Sequence, residues 1–471
     1  MPENKQLDVK VKFGLRSFVT VVCILFAVLI LVGVLTYVIP AGTYQYDQDG
    51  NVIPDSYTPI PEEENTTRLP VWRWITAPFE ALFGKNQMLV IIVLLLVLGG
   101  TFKVLDNSGG LVSLVRILIE RLYQRRYVAI WVITLVIMLL SAVFGLQEQL
   151  LILYPILAMM CMAMNWSKFT AISFILISSG VGFTTAITNP LTIGLASGFA
   201  GTNVVDGLWY RLIIFAVMYV VTSMFLTYLA KTDERNAKTQ FDVASFTMST
   251  PEQHKQDLYK AKLIVLLFGV ALLGVIVSMS IPALRSRSMV IMAVAFIVGT
   301  VIVGRLLLGS FASLGKSFVG GMKDVAPSIA IIMIAFGITH IATCGNILHT
   351  IFYEFNKLVV QLSPYLAVLC LYALILIIEF FIPSASAKAA LIIPMLTLAP
   401  IEGISKNVIL LTYLFADGYT NVLFPTCGTL LVGLGLADVS FVQWFKKTIL
   451  FQLVALAISV GFLMLAIAIK L

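Results

Sequence analysis

The chain has 471 residues, of which 59% are hydrophobic and 12% charged. Water-soluble domains carry about 25% charged residues, so a soluble enzyme or binding module is excluded. The formal net charge of +7 sits mainly in short loops, where it sets orientation in a bilayer, and no nucleic-acid partner is expected.

Segment 1–17 carries Lys5, Lys10, Lys12 and Arg16 ahead of the first apolar run, Phe18–Ile39, and so belongs in the cytoplasm. That run is too long for a signal-peptide core and lacks a small-residue cleavage site, so it reads as a retained first span. The loop after it is acidic (Asp47, Asp49, Asp55, Glu62, Glu63, Glu64) and ends in an interfacial stretch, Val71–Leu82, with Trp72 and Trp74. A second span at about 88–105 leads to an amphipathic stretch, Leu111–Arg126, with Arg116, Arg121, Arg125 and Arg126 on its polar side. Two apolar arms within about 128–164 meet at Phe144–Gln149, as a re-entrant hairpin or as two full spans. An interrupted helix at about 168–200 and a span at about 208–230 complete a first repeat, 18–230.

The charged stretch 231–262 reads as a cytoplasmic linker and 263–281 as one connecting span. The order of elements then recurs over 289–471: a span at about 289–307, a semi-polar stretch Ser310–Lys323, and a span at about 326–343. An amphipathic stretch Gly345–Leu362, a hairpin at about 364–402, an interrupted helix at about 406–435 and a last span at about 441–470 follow. A single connecting span turns the second set over. The expected fold is therefore an all-α polytopic membrane protein of two inverted-topology repeats, each with a re-entrant hairpin and a discontinuous transmembrane helix. It counts nine spans plus two hairpins in the inner (cytoplasmic) membrane, with the C-terminus outside. The five cysteines (Cys23, Cys161, Cys344, Cys370, Cys427) show no metal or redox spacing and read as buried free thiols.

Polar residues concentrate where helices should break. In the first half these are Gln147-Glu148-Gln149 and Ser178–Pro190; in the second, Pro383–Lys388 and Ala416–Thr426. Backbone freed by Gly and Pro is tolerated at membrane depth only inside protein or beside a polar cavity. Its carbonyls, with Ser, Thr and Asn oxygens, suit a small hard cation, and half-helix N-termini suit a carboxylate. Small residues such as Gly180, Gly182, Gly194 and Gly198 also serve plain helix packing, and Thr and Ser often bond back to their own helix.

Glu148, Lys388 and Asp417 fall at the breaks in apolar surroundings. A charge at mid-bilayer costs roughly 2.5–3.5 kcal/mol on insertion scales, so such groups are paired or functional. One alternative is a structural Glu148–Lys388 ion pair. The other makes Glu148 a coupling-ion or cationic-substrate group and Lys388 a charge-balancing or carboxylate-binding group. Glu379, on a hairpin arm, fits either class; His340 and His349 read as interfacial. No HExxH or GxxxxGK[ST] occurs, which disfavours a metalloprotease or an ATP-driven pump.

The strings Ile39-Pro40-Ala41-Gly42, Gly145-Leu146-Gln147-Glu148-Gln149, Asn189-Pro190-Leu191, Ile382–Ala387 and Asp417-Gly418-Tyr419-Thr420-Asn421 recur in this order over nearly the whole chain. In them the sequence resembles the YfcC/DcuC-type carriers of the ion transporter superfamily, which include basic amino acid exchangers and C4-dicarboxylate carriers. The resemblance implies hairpins that meet at a central site, a transport unit moving against a scaffold, and a homodimer. Two departures from the pattern matter. Gln149 stands where relatives often have a second acid, and Lys388 ends a tip that in relatives tends to read Ser-Gly-Ser-Gly-Gln.

The expected function is a non-enzymatic secondary carrier of a small carboxylate-bearing metabolite, a C4-dicarboxylate or an amino acid; the alternative is a basic amino acid exchanger. Substrate contacts are expected from Glu148, Thr184, Thr185, Asn189, Ser384, Ser386, Lys388, Asp417, Thr420 and Asn421. No cofactor is expected. The coupling ion would be a proton or Na+, with sodium near Gly145, Ser179, Gly180 and Asn189.

Overall fold

The computed structural model describes residues 15–45, 53, 56–84, 86–237, 250–359, 362–382, 385, 388–389, 392–393, 396 and 403–471. The first half comprises α1 (Leu15–Val38), α2 (Ala77–Gly84), α3 (Asn86–Asn107), α4 (Gly110–Leu122), α5 (Arg126–Phe144), α6 (Tyr154–Ala163), α7 (Lys168–Thr185), α8 (Ile193–Ala200) and α9 (Leu208–Asn236). The connecting helix is α10 (Pro251–Ser280). The second half comprises α11 (Ser288–Leu308), α12 (Phe311–Cys344), α13 (Ile347–Val359), α14 (Pro364–Phe381), α15 (Lys406–Thr420), α16 (Gly428–Ala437) and α17 (Phe441–Ala468). A two-residue antiparallel pair, Gly42–Thr43 with Thr58–Pro59, closes the loop after α1.

Helix starts follow local chemistry. Ser167, Thr250, Ser310, Ser405 and Ser440 each accept a backbone N–H from the first turn that follows. Among the described residues seven helices are long and apolar enough to cross a bilayer. Two bent pairs, α3–α4 at 75° and α12–α13 at 64°, bring the total to nine if each pair is one span. The membership differs from the expected nine, because α5 and α14, expected as hairpin arms, are themselves long and apolar enough to cross. Helix α7, rich in Ser, Thr and Gly, is 94% buried, whereas the more apolar α17 is 33% buried. The most polar span is thus shielded by protein, and apolar spans face lipid.

The packing divides the helices into two groups. In one, α12 packs on α1, α2 and α3, α11 packs on α3 and α10, and α10 packs on α4. In the other, α7 packs on α5, α9 and α15, and α15 packs on α14 and α17. Contacts between the groups run chiefly through α4 with α6 and α12 with α16. Partners also exchange between the halves: α1 meets α12 as α11 meets α3, α5 meets α7 as α14 meets α15, and α7 meets α9 as α15 meets α17. Helices α3 and α12 cross at Gly99 and Gly321, where a side chain on either would strike the other backbone.

Three expectations are corrected. Ser310–Lys323 is not a separate interfacial element but the start of the 34-residue helix α12. Helix α12 is continuous through Pro327. The linker expected over 231–262 narrows, because α9 runs on to Asn236 and the Thr250 cap with Pro251 starts α10 early. The cysteines are free, but only Cys161 and Cys427 are buried; Cys23 is exposed on the first span.

Candidate functional site

Helices α7 and α15 stop inside the protein. Helix α7 ends at Thr185, with Ala186 at φ 24°, and the chain resumes helix at Ile193. Helix α15 ends at Thr420 and resumes at Gly428. The two broken helices cross at their ends. A side chain at Gly418 would run into the backbone and hydroxyl of Thr184, and one at Gly180 would lie 2.6 Å from Val422. The crossing therefore depends on these two glycines.

The first tip lies beside the first break. Gly145 caps α5 at φ 74° and abuts the Asn189 side-chain oxygen. Thr188 and Asn189 both donate their backbone N–H to Ala142 O at 3.1 Å, which fixes the break against the end of α5. Asn189 Oδ1 accepts from Leu191 N at 2.9 Å and Gln149 Oε1 accepts from Gln147 N at 3.1 Å. Those two contacts orient both amides. They leave Asn189 Nδ2 and Gln149 Nε2, together with Gln147 Nε2, buried without a partner among the described residues. A buried unsatisfied donor costs about 1–3 kcal/mol, so three of them at one tip call for a ligand that accepts.

Of the four residues named for sodium, three have an oxygen that already accepts a hydrogen bond. Ser179 O takes the Ser141 hydroxyl at 2.6 Å, Gly180 O takes Thr184 at 2.9 Å, and Asn189 Oδ1 takes Leu191 N. Thr185 and Thr420 likewise bond back to their own helices. Glu148 is half-buried and lies near Thr429, in the first turn of α16.

The second tip has different chemistry. Lys388 is fully buried, with its Nζ 2.5 Å from Asp417 Oδ1 and in contact with Glu379 Oε2. Asp417 and Glu379 are themselves buried. The Glu148–Lys388 pair does not form; Lys388 is held by the two acids on α15 and α14. Tyr413 donates to Ala385 O at 2.7 Å and ties the tip to α15. Asn421 follows the end of α15, and its Oδ1 accepts from Cys427 Sγ at 3.5 Å. Ser384 and Ser386 lie outside the described residues. The residues brought in beyond expectation are Gln147, Gln149, Glu379 and Thr429. Glu379 carried a signal, as a lone acid two residues from the end of an apolar arm, but its partners are distant in sequence.

The chain is 24% identical to the "Putative basic amino acid antiporter YfcC" of Escherichia coli, covering 90% of this chain and 91% of that one. The YdaH transporter of Alcanivorax borkumensis is 16% identical and covers 97% of this chain and 99% of that chain, at TM-score 0.44. Neisseria gonorrhoeae MtrF, described as illuminating a class of antimetabolite efflux pumps, is 14% identical and covers 94% of each chain, at TM-score 0.45. The C4-dicarboxylate anaerobic carrier family, DcuC, matches residues 18–468, and this chain is a multi-pass membrane transporter belonging to that family.

Proposed function

We propose that the chain is an alternating-access secondary carrier of a small carboxylate-bearing metabolite, with the substrate carboxylate held at the first break. The observation that carries this reading is the set of buried donors without partners, Gln147 Nε2, Gln149 Nε2 and Asn189 Nδ2. Such donors, beside the start of α8, stabilise an anion and offer little to a bare cation. The division of the helices into two groups supports a transport unit of α5–α9 and α14–α17 shifting against α1–α4 and α10–α13. The exchange of packing partners between halves supports an inverted repeat, with the N-terminus in the cytoplasm and the C-terminus outside.

A second reading, basic amino acid exchange, draws on one observation: Glu148, Glu379 and Asp417 outnumber Lys388 in the centre. Uptake into proteoliposomes of labelled succinate, fumarate, malate, arginine, ornithine and neutral amino acids separates the two. Saturable uptake of a dicarboxylate or neutral amino acid, with a raised KM in Gln147→Met, is the expected result. Arginine–ornithine exchange with the dicarboxylates inert would replace the first reading with the second.

A further inference from the structure

We infer that Glu379, Lys388 and Asp417 form the carrier's coupling site, and that the coupling ion is a proton rather than sodium. The inference rests on the carboxylate reading above only for the direction of coupling. Its basis is geometric. Two carboxylates on different helices, α14 and α15, converge on one ammonium group from the second tip, and all three side chains are at most 2% exposed. One cation cannot neutralise two anions. Glu379 Oε1 and Asp417 Oδ2, the oxygens not facing Lys388, have no hydrogen-bond partner among the described residues. A net negative charge buried at this depth is costly unless it is compensated.

Sodium is ill suited to compensate it. The cation would need several oxygens at once, and one oxygen of each carboxylate already faces the Lys388 ammonium. A proton needs one oxygen and no added volume. The other groups facing the cluster are Tyr413 on α15, Cys427 before α16, and Glu148 from the first tip. None of these brings a second positive charge. The step is an O–H bond formed on a carboxylate oxygen of Glu379 or Asp417, with the proton taken from water on one side and returned on the other. A substrate carboxylate bound at the first break adds further negative charge to the same core. Proton and substrate therefore move in the same direction.

Infrared difference spectroscopy of the purified full-length carrier, titrated with pH and without substrate, tests the proton site directly. A carboxylic-acid carbonyl band that disappears at alkaline pH is expected, kept in Glu148→Gln and lost in Glu379→Gln or Asp417→Asn. Absence of the band in the unmodified protein, or its persistence in both of those variants, overturns the proton site. In proteoliposomes, an inside-alkaline gradient of one unit should raise labelled succinate accumulation toward about tenfold per coupled proton. A sodium gradient alone should leave accumulation unchanged, and Asp417→Asn should lose the response to the pH gradient. Accumulation driven by sodium and indifferent to pH overturns the proposal. If succinate is not carried at all, the carboxylate reading fails, while the infrared titration still decides the proton site.

Discussion

The polar groups described at the two tips oppose each other in chemistry. Each tip lies against a helix broken inside the protein, and the broken helices cross where Gly418 meets Thr184. At the first tip the buried polar groups are neutral amides with unused donors. At the second they are two acids around one ammonium. The chain therefore carries two different polar clusters, one suited to a ligand that accepts hydrogen bonds and one to a change of charge.

The comparison breaks most readily at Lys388. Lys388→Met leaves Glu379 and Asp417 buried without a countercharge, and loss of one partner from such a cluster costs about 3–5 kcal/mol. A large fall in the thermal midpoint in detergent is expected, with uptake abolished. Adding Glu379→Gln and Asp417→Asn to the same protein should recover most of the midpoint but not transport. A Lys388→Met protein as stable as the unmodified one would mean that ions do not hold the second tip.

Gly418→Ala tests the crossing both tips depend on. Its new methyl would meet Thr184 directly, and overpacking of this kind costs about 1–3 kcal/mol. Both stability and uptake should fall. The same substitution at Gly198, where nothing lies within 4 Å, is the control and should be close to neutral.

The first tip should respond in the opposite sense. Gln147→Met removes a buried donor that has no partner, so the thermal midpoint should hold or rise slightly. The KM for the carried carboxylate should rise about tenfold, equivalent to about 1.4 kcal/mol of lost binding. A parallel loss of stability and transport would make Gln147 a structural residue and remove it from the site.

The unequal legibility of these features has a physical basis. Spans, breaks and the helix α2 are readable because apolar runs, Gly-Pro interruptions and capping residues are local signals. The continuity of α12 was not, because a semi-polar stretch can lie on a surface or extend a span, and packing against α2 and α3 decides which. The pairing of Lys388 was the harder case. Glu379 and Asp417 stand 9 and 29 residues from it along the chain, and nothing in the intervening residues shows that both turn inward to the same point. Gln147 and Gln149 were visible as a polar tip, but their unused donors emerged only once the bonds made by their oxygens were known.

The smallest effect belongs to a charge pair outside both breaks. Arg73 donates to both oxygens of Glu80 on α2, at 3.1 Å through Nε and 2.5 Å through Nη2, and Thr76 adds a third bond at 2.7 Å. His340 Nε2 lies 3.7 Å away, on α12. The Arg73 hydrogen bond, ahead of those other contacts, lowers the Glu80 carboxyl from 4.5 to about 2 despite the opposing effect of burial. A carboxylate whose folded value is depressed stabilises the fold fully above its unfolded value and loses that contribution as pH falls through the folded value. The difference in thermal midpoint between the unmodified protein and Glu80→Gln should therefore be constant above about pH 4.5, shrink below it, and vanish near pH 2. Because this pair is partly exposed, the difference should be small beside that of Lys388→Met. A midpoint difference that stays flat down to pH 2 would mean that Arg73 does not hold Glu80 ionised.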